Sequence, residues 1–96
     1  MKPSEALKLH KNEIKRIAAR YRLGNIRVFG SVLHNRDADG SDLDLLVDPS
    51  AGITLFDLGG AQAELQEVLG VPVELLTPGD LPKRFRDSVL REAKPL

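Results

Sequence analysis

Two aspartates open the apolar run Asp42-Leu43-Asp44-Leu45-Leu46-Val47-Asp48, and this run limits what the chain can fold into more than any other stretch. In a β-strand, side chains at i, i+2 share one face. Asp42 and Asp44 are therefore expected to point together out of a sheet, while Leu43, Leu45 and Val47 point into a core. Two carboxylates so placed repel unless a positive charge sits between them. Hard divalent cations such as Mg²⁺ prefer oxygen ligands of this kind, which makes the pair a candidate metal site. Upstream, another apolar stretch ends in Phe29-Gly30-Ser31. A strand that turns into a helix at a glycine exposes unpaired backbone N–H groups that can cradle phosphate oxygens, and Ser31 adds a hydroxyl donor. A phosphate cradle beside metal-binding carboxylates suits phosphoryl or nucleotidyl transfer, where positioning and charge neutralisation do most of the chemistry.

With 96 residues, the chain is expected to form one domain over positions 1–96, too small for a separate substrate-binding domain. It has no cysteine, which rules out disulfides and thiolate zinc sites and leads to the expectation of a reducing cytoplasm. No segment has the run of about 20 apolar residues that a membrane span needs, so a soluble protein without membrane attachment is expected. The formal net charge of zero hides a partition: residues 1–36 carry nine Lys and Arg against Glu5 and Glu13, for +7. Residues 37–80 carry ten acids and no Lys or Arg, for −10, and residues 81–96 carry a net +3. An acidic middle without cations is a poor grip for a nucleic-acid backbone, so direct nucleic-acid binding is not expected. It is well suited to holding metal ions. Asp37, Asp39, Asp57, Glu64 and Glu67 are read as solvated surface.

Along the chain, Ser4 is the candidate N-cap of a first helix carrying Ile14, Ile17, Ala18 and Tyr21 on one face, with His10 on its polar side and Gly24 closing it. Asn25 to Phe29 reads as a strand, Val32-Leu33 as a short helical turn, and Asn35 to Ser41 as a loop that includes His34's neighbours. A strand from Asp42 to Val47 stops at Asp48-Pro49. Thr54 caps a helix that ends at Gly70, with a weak start or kink at Gly59-Gly60. A third strand runs from Val71 to Leu76, and a last helix capped by Asp80 carries Leu81, Phe85, Val89 and Leu90. This order implies an α/β (α+β) fold, a small mixed sheet of three or four strands packed by helices. The short connection from Gly30 to Asp42 favours antiparallel pairing of the first two strands, which sets Gly30-Ser31 beside Asp42 and Asp44 at one sheet edge.

Gly30-Ser31, the loop, and Ser41-Asp42-Leu43-Asp44-Leu45-Leu46-Val47 resemble the motif of the DNA polymerase β-like nucleotidyltransferase superfamily. More narrowly, they are similar to the minimal nucleotidyltransferases, the MntA-like antitoxins encoded beside HEPN-domain proteins. The resemblance implies a third carboxylate on a later strand, and Glu74 in Val73-Glu74-Leu75-Leu76-Thr77-Pro78 stands there, where the commoner family residue is aspartate. His34 stands where relatives often carry arginine. The resemblance further implies catalytic and metal-holding roles for Asp42, Asp44 and Glu74, two Mg²⁺ ions, and nucleotide phosphates at Gly30 and Ser31. The implied reaction moves AMP from ATP to a hydroxyl, tyrosine in such relatives, of a partner HEPN toxin. A non-catalytic antitoxin that neutralises its partner by binding is the alternative, and a homo- or hetero-oligomer is compatible with either.

Overall fold

The computed structural model describes all 96 residues. Helices α1 (Pro3–Leu9) and α2 (Lys11–Arg20) lead into β1 (Leu23–Phe29), the four-residue α3 (Gly30–Leu33) and β2 (Leu43–Pro49). Then come α4 (Leu55–Leu69), β3 (Val73–Leu76), a 3-10 turn at Pro78–Asp80, α5 (Lys83–Glu92) and the short β4 (Lys94–Pro95). The sheet order is β3-β2-β1-β4; β1 is antiparallel to both β2 and β4, and β2 is parallel to β3. The mixed sheet packed by helices is thus the architecture that the element order and loop length imply, and β4 is a fourth strand that the element order does not contain.

Alternation places the core. Leu43, Leu45 and Val47 are buried with Ile14, Ile17 and Ala18 of α2 and Ala61, Leu65 and Leu69 of α4. Each large aliphatic side chain buried there contributes about 1.5–3 kcal/mol. The opposite face of β2 carries Asp44, Leu46 and Asp48. There Leu46 is also buried, with the Pro78–Asp80 turn against β2, while Asp48 accepts from Arg27 Nη2 at 2.7 Å and from Asn25 Nδ2 at 2.9 Å.

Several local expectations are corrected. The first helical region is two helices, broken at His10 (φ −115°, ψ 22°), whose Nδ1 lies 2.8 Å from Glu13 Oε1. Ser4 is not the cap, since Lys2 precedes the helix and the Ser4 N–H donates to Asp37 Oδ2 at 2.9 Å. That bond ties the loop after α3 to the start of the chain. Gly24 does not end α2: the chain reverses through Arg22 (φ 58°), and Gly24 is already in β1. β3 begins at Val73 rather than Val71, and Asp42 immediately precedes β2. Asp80 caps the 3-10 turn, accepting from Thr77 N at 3.0 Å, and Pro82 precedes α5. Nor are all the acids of the middle segment bare surface, because Asp57 completes a capping box with Thr54 and Glu64 accepts from Tyr21 Oη at 2.9 Å and from Arg20. α4 is continuous through Gly59-Gly60, with Thr54 and Gly70 capping it as expected.

Candidate active site

The parallel register of β2 with β3 sets Asp44 directly opposite Glu74, and the antiparallel register with β1 sets Asp44 opposite Phe29. Asp44 thus stands between two strands, half-buried, with Asp42 one pleat away on the same face. Carboxylate oxygens of Asp42, Asp44 and Glu74 all lie within 4.8 Å of one another. Asp42 and Glu74 are exposed. Burial first, then the charge of Glu74, then that of Asp42, push the Asp44 carboxyl up from its ordinary 3.8 to about 6. No Lys or Arg forms an ion pair with any of the three.

Gly30 is held against this group. Its φ is +73°, and a Cβ there would stand 2.1 Å from Asp44 Oδ2, so neither the backbone angle nor the space accepts another side chain. Ser31 follows it, half-buried, in the first turn of α3. The fold places the Gly-Ser turn beside the paired aspartates, as the short Gly30 to Asp42 connection implies, and the parallel β2–β3 register adds Glu74, the carboxylate that the resemblance implies. His34 closes α3, and its Nε2 lies 3.2 Å from Glu92 Oε2. The acid of β2 that does not join the group is Asp48, held by Arg27 at the other end of the strand. Residues 91–94 also come close to α3, because β4 pairs with β1 at Val28. Two residues of strand carry no periodicity, and the sequence shows only that every Lys and Arg lies outside residues 37–80.

An α/β sheet that presents clustered carboxylates beside a Gly-Ser turn is the arrangement that nucleotidyl transfer uses. A model of the nucleotidyltransferase domain family matches residues 7–96, and the chain belongs to that family. It is 37% identical over 86 residues to MJ0435 of Methanocaldococcus jannaschii, provisionally named a protein adenylyltransferase, covering 85% of this chain and 92% of that one. A solved structure provisionally described as a minimal nucleotidyltransferase superposes with a TM-score of 0.86 at 39% identity, over 97% of this chain and 95% of that chain. A chain of the toxin-antitoxin MntA-HepT shares the fold at 19% identity, with a TM-score of 0.67 over 91% of this chain and 68% of that chain.

Proposed function

We propose that this nucleotidyltransferase moves AMP from ATP to a hydroxyl, that of a tyrosine, on a partner HEPN-domain toxin, and so acts as its antitoxin. The observation that carries the reading is the convergence of Asp42, Asp44 and Glu74 within 4.8 Å of one another, beside Gly30 and Ser31. The all-oxygen donor set, with one carboxyl raised by burial and by its acidic neighbours and no paired Lys or Arg, fits Mg²⁺. Asp42, Asp44 and Glu74 would hold the ions, two of them as the resemblance implies. When bound, Mg²⁺ supplies charge neutralisation at the phosphates.

In the proposed reaction the acceptor oxygen forms a bond to the α-phosphorus of ATP, and the bond to the bridging oxygen of the β-phosphate breaks. Pyrophosphate leaves. The hydroxyl proton passes to a carboxylate, and we assign this to Glu74, which is exposed and longer by one methylene than the commoner aspartate. Backbone N–H groups of the first turn of α3, which have no partner within the helix, and the Ser31 hydroxyl hold the leaving phosphates. Two of the three acids are open to solvent, which lets an acceptor carried on another chain reach them. The name of the MJ0435 relative supports adenylyl transfer, and the MntA-HepT assembly supports a toxin as the partner.

The test is incubation of the protein with labelled ATP and the product of a neighbouring HEPN-type gene. Label is expected on a toxin tyrosine, to be abolished in Asp42→Asn/Asp44→Asn and reduced about a hundredfold or more in Glu74→Gln. If none of the four ribonucleoside triphosphates labels the toxin while the toxin is still silenced, binding alone is the antitoxin activity.

A further inference from the structure

The sheet face that carries Asp44, Leu46 and Glu74 is left to one helix. β3 and β4 are the two edge strands, α2 and α4 pack on the core face, and α5 joins β3 to β4. It therefore passes over the carboxylate face, and its ten residues, about 15 Å of helix, match three strand spacings of about 4.8 Å. Leu46 and Leu81 are the two buried apolar residues outside the main core, as a helix crossing beside Leu46 requires. Arg86 Nη2 fastens the start of α5 by donating to the Leu81 carbonyl at 2.9 Å, and near its end Glu92 Oε2 lies 3.2 Å from His34 Nε2.

Alone among the five helices, α5 has no buried residue. Phe85 is 49% exposed and carries the Arg84 guanidinium 4.8 Å from its ring centroid. Phe85, Ser88 and Glu92 are spaced i, i+3, i+7 and so share one side of α5. Since Glu92 meets His34 at the end of α3, that side is turned toward α3. Lys83, Arg84 and Arg91 make no ion pair within the chain. An exposed ring with a guanidinium stacked on it and unpaired cations around it has the composition of an interface centre, where aromatic residues and Arg are enriched. The stack orders Arg84 before binding, which lowers the entropy lost on association. An interface of ordinary size covers about 800 Å² of each partner, a patch about 30 Å wide. The molecule measures 35 × 30 × 18 Å, so a partner seated on α5 overlies Asp44 and Glu74 on the same face. Leu55 and Phe56 are more exposed, but they open α4 after the end of β2, beyond Asp48 and away from Asp42.

We infer that α5 is the docking surface for the protein that carries the acceptor hydroxyl, with Phe85 and Arg84 as its anchor, and that its occupant is an apolar pocket rimmed by acidic side chains on that partner. The inference rests on the reading proposed above, in which the acceptor is carried by a second protein. The unpaired cations select an acidic partner surface, while Glu74, Asp87 and Glu92 disfavour a nucleic-acid backbone.

Calorimetric titration of the whole protein with the product of the neighbouring HEPN-type gene tests it. Arg84→Ala/Phe85→Ala should weaken the complex about thirtyfold or more. Arg84→Glu, a change at an exposed position, should weaken it about tenfold by itself, which keeps the test independent of any loss of fold in the double variant. Leu55→Ala/Phe56→Ala should leave it unchanged, and melting temperature and ATP affinity with Mg²⁺ should stay constant in Arg84→Glu. Unmoved affinity in both α5 variants, an equal loss in Leu55→Ala/Phe56→Ala, or a wild type that forms no complex overturns the inference. So does single-stranded RNA that the wild type binds and Arg84→Ala/Phe85→Ala does not, which assigns α5 to nucleic acid. AMP transfer is read separately. A complex weakened in the variants, with no transfer by the wild type, supports the docking surface and overturns the transferase reading. Transfer whose KM for the toxin is the same in wild type and variants overturns only the docking surface.

Discussion

At Gly30 a single hydrogen separates the turn from Asp44, since a Cβ would lie 2.1 Å from Oδ2 at a φ of +73°. Gly30→Ala must therefore displace Asp44 and adopt a left-handed angle, at about 1–3 kcal/mol of stability. Displacement near 1 Å costs about a hundredfold in rate, so transfer should fall at least that far, as read by denaturant unfolding and labelled ATP. Unchanged activity in that variant would show that Asp44 need not stay where it is. Asp44 itself sets a pH dependence. Its folded carboxyl is raised from 3.8 to about 6, so the native state binds that proton more tightly than the unfolded chain does. The stabilisation is present below about pH 4 and is lost as pH rises through 6. A shift of this size corresponds to about 3 kcal/mol in full, and half-exposure with screening lowers it to about 1 kcal/mol. Without divalent cations, the wild type should lose this much between pH 4.5 and 7 relative to Asp44→Asn, by unfolding at matched ionic strength. Parallel pH profiles would return Asp44 to an ordinary pKa. The shared face of Asp42 and Asp44 was legible because alternation alone dictates it. The close approach of Gly30 was not, because it depends on the β1–β2 register, and the sequence offered only the phosphate cradle as a reason for glycine.

The elements that periodicity reveals are those with a long apolar stripe: α2, α4, β1 and β2. What local pattern does not contain is the break at His10, where the helical period runs on, and the tie from Ser4 to Asp37, 33 residues apart. β4 is too short for any period. The glycine pair of α4 shows the same division between local and tertiary causes. Propensity predicts a weak point there, yet the helix is continuous from Leu55 to Leu69. Gly60 faces Tyr21, and a Cβ would stand 3.2 Å from its Cε1, on a ring held by the bond from Oη to Glu64; a Cβ on Gly59 meets nothing within 4 Å. Gly59→Ala should therefore stabilise the protein by up to about 1 kcal/mol in chemical denaturation. Gly60→Ala should gain less or lose, because the tethered ring must give way. Equal gains at both positions would mean that Tyr21 does not constrain α4.

Across the whole molecule, the chain's +7 and +3 ends flank its −10 middle in sequence, with the carboxylates clustered across β2 and β3 and α2 presenting Lys11, Lys15, Arg16 and Arg20 to solvent. Charges of opposite sign collected on separate surfaces steer encounter more than they set final affinity. A partner that presents its acceptor hydroxyl to the acidic edge while its own acidic surface meets the basic helices would associate quickly at low salt. It would slow as the Debye length contracts from about 10 Å at 0.1 M toward 3 Å at 1 M. Association of this protein with the proposed toxin partner should accordingly slow by about tenfold between 0.05 and 0.5 M salt, with dissociation changing much less, as surface-immobilised kinetics would record. Lys15→Glu/Arg16→Glu should slow it further at low salt and remove most of the salt dependence. Asp42→Asn/Asp44→Asn should leave association intact or faster, since it removes negative charge without touching the basic faces, even though transfer is lost. Salt-independent association would place the partner on an uncharged part of the surface. A double Asp variant that no longer binds would mean that the carboxylates serve assembly rather than chemistry.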